Sequence, residues 1–125
     1  HRKISEAIAL ADRMKPNQFD MAAKIKWLSK LDGMIFVEVF KTHEGSTVES
    51  FTGYDSSDAD KELLVPYPYA EDVYGFFLCA QIDNENGEMA KYNQSITQYN
   101  GAYKLFIDWY NRTHMPLPQK TAFIF

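Results

Sequence analysis

Tyr92-Asn93-Gln94-Ser95-Ile96-Thr97-Gln98-Tyr99-Asn100-Gly101-Ala102-Tyr103-Lys104-Leu105-Phe106-Ile107-Asp108-Trp109-Tyr110 is the stretch that decides the fold. Tyr92, Ile96, Tyr99, Tyr103, Phe106 and Tyr110 recur at intervals of three and four, which places them on one face of a helix. That helix should run from about Glu88 to Asn111 or Thr113, because Pro116 forbids much further extension.

Upstream, a third helix should begin near Tyr69 and bury Val73, Phe76, Phe77, Ala80 and Ile82. The nineteen positions from Val73 to Tyr92 leave the two stripes about 100° out of phase. Asp83-Asn84-Glu85-Asn86-Gly87 lies between them, and Asn-Gly is a strong turn or C-cap pair. A turn or sharp kink is expected here, with one continuous curved helix as the competitor. Before it, Leu63 to Pro68 must be extended, since a proline pushes its preceding residue out of the α region.

At the other end, Ser5 reads as the N-cap of a first helix, with Glu6 favoured by the helix dipole. Ile4, Ala7, Ile8, Ala11 and Met14 form its stripe, and Pro16-Asn17 ends it. Asp20 should cap a second helix over 20–41. Met21, Ile25, Leu28, Ile35 and Val39 give its repeat, widened by Trp27 and Leu31. Gly33 inside it marks a kink or close packing. Met34 to Phe40 is β-prone by composition, but the preceding phase carries through and predicts helix. Over 42–62 the periodicity disappears into a loop or arm, with a short strand or hairpin arm over Val48 to Tyr54. So long a loop is usually functional. The expected fold is all-α: three to four helices, a long central loop and an extended tail over 115–125.

With 125 residues the chain reads as one domain, 1–125. It is 46% hydrophobic and 24% charged, which argues against general disorder. The net charge of -4 speaks against a protein that binds by neutralising phosphates. Arg13, Lys15, Lys24, Lys26, Lys30 and Lys41 crowd the first third, and solvated helix faces explain them. Cys79 is the only cysteine and sits among apolar neighbours, so it reads as a buried, inert thiol. No apolar run approaches the ~20 residues needed to cross a bilayer. His1-Arg2-Lys3 lacks an initiator Met and a signal core, and His1 reads as a processing or expression remnant.

Chemistry finds little support. His1, His43 and His114 are the only histidines, none at i,i+4, so no zinc motif arises. Asp55, Asp58, Asp60 and Glu62 fail the spacing and central glycine of a calcium loop. No nucleophile elbow, P-loop or dinucleotide fingerprint is present. His114 reads more simply as a cation at a helix C-terminus than as a catalytic or DNA-contacting group. Two sequons begin at Asn93 and Asn111, with nothing to indicate secretion. The expectation is therefore no enzyme, no catalytic residue, no cofactor and no metal.

The aromatic content is the remaining signal. Ile96, Tyr103 and Phe106 read as core. Tyr67, Tyr69, Tyr74, Tyr92, Tyr99, Trp109 and Tyr110 exceed what a few helices need, and such residues anchor subunit interfaces. Phe123-Ile124-Phe125 makes a β-prone apolar tail that Pro116 and Pro118 should hold away from the fourth helix. It either folds back or docks on a neighbouring subunit as an added strand or in a groove. The expected partner-binding residues are Tyr67, Tyr69, Tyr99, Trp109, Tyr110, Phe123, Ile124 and Phe125.

Three stretches also carry a family likeness: Ile4 to Lys15 (ISEAIALADRMK), Lys24 to Gly33 (KIKWLSKLDG) and Leu63 to Pro116, especially LLVPYPYAEDVY, AQIDNENGEMAKYN and YNRTHMP. They resemble the head–tail connector (adaptor, or head-completion) proteins of tailed phages and prophages of Gram-positive bacteria. The resemblance implies a helical virion protein of the phage neck, made in the host cytoplasm. It implies a dodecameric ring of copies between the portal protein and a tail, stopper or tail-completion protein. DNA would pass through its channel without specific binding, which an acidic surface favours. The competing readings are another neck or tail-completion protein, a small phage regulatory protein acting by protein contact, and a DNA-recognition protein. The acidic balance speaks against the last.

Overall fold

A computed structural model describes residues 2–46 and 48–117. Among the described residues four α-helices build the fold: α1 (Ile4–Met14), α2 (Met21–Glu38), α3 (Ala70–Glu85) and α4 (Met89–Thr113), with a short 3-10 turn at Phe40–Thr42. Among the described residues there is no strand, only two isolated antiparallel bridges, Lys3 with Glu62 and His43 with Pro116. The all-α expectation holds, and the hairpin arm over 48–54 does not form.

Helix α3 is central and packs against α1, α2 and α4. It is therefore buried nearly all round, through Ala70, Val73, Tyr74, Leu78, Cys79, Ala80 and Ile82. Phe76 and Phe77, expected in its core stripe, are only half-buried. A stripe rule locates one buried face and fails for a helix flanked on three sides. The turn after α3 decides against a continuous helix. Gly87 has φ of +72°, Gly87 N–H donates to Asn84 O at 3.1 Å, and Glu88 N–H donates to Asp83 O at 3.0 Å. This is a Schellman cap, and it folds α4 back along α3.

Asp20 caps α2 as expected, accepting from Ala23 N–H at 2.9 Å. Ser5 does not cap α1. The helix begins at Ile4, and its first free amides are met by the central loop: Ile4 N–H donates to Lys61 O at 3.0 Å and Ser5 N–H to Ala59 O at 2.9 Å. Met14 and Met21, placed in core stripes by phase, are exposed because they lie at helix ends beyond the packed body. The Met34 to Phe40 stretch is helical to Glu38 and continues as the 3-10 turn. Gly33 marks no close packing: a Cβ there would stand 3.8 Å from the Phe51 ring, an ordinary contact.

The central loop is a belt rather than a free arm. Leu63 and Val65 are buried, and Val48, Phe51, Tyr54 and Leu64 pack against the same core. Gly53 (φ +97°) lets it approach α2, where an added Cβ would come within 2.9 Å of Ser29 Oγ. Ser29 Oγ accepts from Tyr54 N–H at 2.9 Å. The Tyr67–Pro68 peptide is cis and leads into α3. After α4 the chain returns along the start of the belt. Glu44 N–H donates to Met115 O at 2.7 Å and Leu117 N–H to Thr42 O at 2.8 Å. Residues 115–117 are thus extended, as expected, and pair with 42–44. Helices α2 and α4 run the same way, since Trp27 shares a groove with Ile96 and Tyr99 while His43 meets Asn111.

Candidate functional site

The C-terminal half of α4 delivers its aromatic face into one cluster. Tyr110 stacks on Phe40 with centroids 5.2 Å apart and on the His114 ring at 3.8 Å. Trp109 lies 5.4 Å from Tyr69, and Phe106 touches both Trp109 and Tyr110. Beside them opens a cleft of about 380 Å³, walled by Phe40, Leu64, Pro66, Trp109, Tyr110 and His114. His43 joins the 3-10 turn to α4, with Nε2 2.7 Å from Asn111 Oδ1 and Nδ1 2.8 Å from Val39 O. His114 is the residue that closes α4, its N–H donating to Tyr110 O at 2.9 Å, with its ring against Tyr110.

The expected partner residues separate into three groups. Tyr67 is 75% exposed, and Tyr69 and Trp109 are half-buried beside each other. Tyr99 and Tyr110 are spent on the chain's own core, at 8% and 4% exposure. That corrects their reading as outward anchors, because their faces are covered by Phe77 and Tyr103, and by Phe40 and His114. Tyr74, also counted as surplus, is wholly buried. Phe123, Ile124 and Phe125 lie outside the described residues. Burial raises the phenol pKa of Tyr99, Tyr103 and Tyr110, so all three stay neutral.

A second groove, about 600 Å³, lies between α2, α3 and α4. Its apolar lining is Trp27, Leu31, Met34, Phe77, Ile96 and Tyr99. Met34 is exposed at its edge.

Periodicity missed the buried polar residues. Asp32, in α2, has no accessible surface, yet it holds three donors. Tyr54 Oη donates at 2.5 Å, Tyr74 Oη at 2.6 Å and Leu64 N–H at 3.1 Å. Tyr74 Oη in turn accepts from Val65 N–H at 2.8 Å. Burial pushes the Asp32 carboxyl up to about 6, and the three hydrogen bonds hold it from rising further. The same burial raises the phenols of Tyr54 and Tyr74, with the Asp32 charge adding to it. A carboxylate accepts and does not donate, so three donors match its ionised form. This node pins the belt to α2 and α3.

Two further pairs join the helices. Lys24 Nζ, almost fully buried, lies 2.8 Å from Asp12 Oδ1. Asp83, also buried, accepts from Ser95 Oγ at 3.0 Å and lies 3.2 Å from Lys15 Nζ. The legible signal was an ionisable residue inside an apolar stripe: Asp32 stands four positions after Leu28 and three before Ile35.

Among the described residues no group of three or more His, Cys, Asp or Glu is placed to hold a metal ion. Asp55 accepts from Ser57 N–H at 2.8 Å and Asp55 N–H donates to Asp58 Oδ2 at 2.8 Å, so these acids shape a turn. No helix of the described residues is long and apolar enough to cross a membrane. Cys79 is buried, and burial raises its thiol pKa. Comparison of the chain with family models, with curated proteins and with solved structures returns no match.

Proposed function

We propose that this protein is a structural subunit of a phage neck, a head–tail connector whose copies form a ring between portal and tail. One observation carries the reading. Two ion pairs and the Asp32 hydrogen bonds join the three stretches that resemble connector proteins. Lys24 of KIKWLSKLDG pairs with Asp12 of ISEAIALADRMK, and Lys15 of that stretch with Asp83 of AQIDNENGEMAKYN. Asp32 of KLDG receives Tyr74 and Leu64 of LLVPYPYAEDVY. The likeness therefore falls on residues that together hold one helical body, as a shared fold requires.

A ring needs two unlike patches on each copy. Tyr67, with Tyr69 and Trp109 beside it, supplies an aromatic patch of the kind that anchors interfaces. The outer side of the belt, carrying Glu49, Asp55 and Asp60, supplies an acidic one. A channel lined by an acidic protein leaves DNA free to move, since like charge opposes phosphate contact. The partners in this reading are other copies of the chain, the portal protein and the tail-side or stopper protein. The place is the virion neck, reached from the host cytoplasm during assembly.

Electron microscopy of a virion or portal complex containing the protein tests the reading. The expected density is a closed ring below the portal, matching its symmetry. Copies scattered without ring symmetry, located at the tail terminator, or missing from the particle would overturn it.

A further inference from the structure

We infer that the groove between α2, α3 and α4 docks an amphipathic helix of a partner protein, one with an apolar stripe and acidic flanks. Shape is the first argument. Helix α3 contacts both α2 and α4, yet no Cα of α2 lies within 8 Å of one in α4. The groove is therefore a slot. Phe77 and Gln81 of α3 floor it, Trp27, Leu31 and Met34 wall one side, and Ile96 and Tyr99 wall the other. Trp27 and Met34 are seven positions apart, which is two helical turns and about 10 Å. A helix laid in the slot presents apolar residues at i, i+4 and i+7 over the same length. Leu31 and Tyr99 are buried and Trp27, Phe77 and Ile96 half-buried, which leaves Met34 exposed at the edge. Apolar surface recessed in this way suits an inserted stripe of side chains, not the broad face of a bilayer.

Charge is the second argument, and it selects the flanks. The protein carries a net charge of -4, but the rims of this slot run the other way. Between Met21 and Val37 the exposed charges of α2 are Lys26 and Lys30. Among the described residues neither ammonium has an ion-pair or hydrogen-bond partner. From Met89 to Tyr103 the formal charge on α4 is Lys91 alone, and Glu88 offsets it at 3.2 Å. Carboxylates on the flank beside α2 would therefore meet Lys26 and Lys30, whereas lysines there would be repelled. Glu85, at the end of α3, is the one acid lining the slot, and it favours the N-terminus of the docked helix at that end. This inference stands independently of the connector reading.

The test selects displayed helical peptides against the full-length protein. The library carries Leu, Ile, Met or Phe at i, i+4 and i+7, and Glu, Gln or Lys at every flanking position. Enriched peptides should carry an excess of Glu on their flanks. A synthetic copy of one should shift the Trp27 indole N–H resonance and leave that of Trp109 in place. It should bind the Lys26→Gln/Lys30→Gln protein about tenfold more weakly, and bind wild type more weakly as salt rises. Met34→Glu should abolish binding and leave the far-UV circular dichroism unchanged. Flanks with no excess of Glu, an unmoved Trp27 resonance, or no enriched peptide at all would overturn the inference. Two other occupants are measured on the same proteins. A dimer in sedimentation that Met34→Glu dissociates would assign the slot to a second copy. Flotation with phosphatidylglycerol vesicles that requires Lys26 and Lys30 would assign the rim to a membrane. Either result overturns the inference as well.

Discussion

Asp32 is where residue chemistry and stability meet. Three donors favour its charge, but complete burial disfavours it more, and the balance leaves the carboxyl titrating near 6 against 3.8 for the free group. The folded protein therefore holds this proton more tightly than the unfolded chain. Its contribution to stability is full below pH 3.8 and is lost as pH rises through about 6. The difference is on the order of 3 kcal/mol. Comparing urea unfolding of wild type with Asp32→Asn between pH 4 and 8 should show wild type losing stability relative to the variant up to about pH 6.5, then holding level. A flat difference curve would mean that Asp32 ionises normally in the fold. Tyr74→Phe removes one donor and leaves Val65 N–H without its acceptor. It should cost roughly 1.5–3 kcal/mol at neutral pH, as for a hydrogen bond to a charged group.

Helix glycines sort by position at the scale of the element. Gly101 sits mid-way along α4, exposed, with nothing within 4 Å of an added Cβ. Gly101→Ala should stabilise the protein by about 0.5–1 kcal/mol through helix propensity alone. Gly87 has the same open surroundings but a φ of +72°, and the Schellman cap depends on it. Gly87→Ala should destabilise by roughly 1–2 kcal/mol, the cost of a left-handed conformation for a residue with a Cβ. Denaturant midpoints of the two variants should move in opposite directions, although neither new methyl touches anything.

The whole molecule divides its aromatics between buried rings and exposed ones. Phe106, without accessible surface, lies against Tyr69, Tyr103, Trp109 and Tyr110. Phe106→Ala should cost about 3–5 kcal/mol, the penalty for an emptied aromatic site in a close-packed core. Tyr67 stands at the other extreme. Tyr67→Ala should change the stability of the isolated protein by no more than about 0.5 kcal/mol, while the connector proposal expects it to lower incorporation into portal-containing particles. Calorimetry of the isolated protein and quantitative blotting of purified particles separate the two effects. If Tyr67→Ala assembles normally, its exposed ring is not an anchor.

The sequence by itself determined the helices. Spacings of three and four, Asp20, the Asn86-Gly87 pair and the prolines are local signals, because helical hydrogen bonds and caps join residues close along the chain. It could not decide which side chains the assembled body covers. Tyr74, Tyr99 and Tyr110 look like surplus aromatics until α3 is enclosed on three sides and the 3-10 turn closes over α4. The loop over 42–62, featureless by periodicity, becomes a belt only because Asp32, Ser29 and the free amides of α1 wait for it. The partners of Asp32 lie twenty-two to forty-two positions away. Such contacts follow from packing and polar satisfaction across the whole molecule, which no local pattern encodes, and only the tertiary structure decided them.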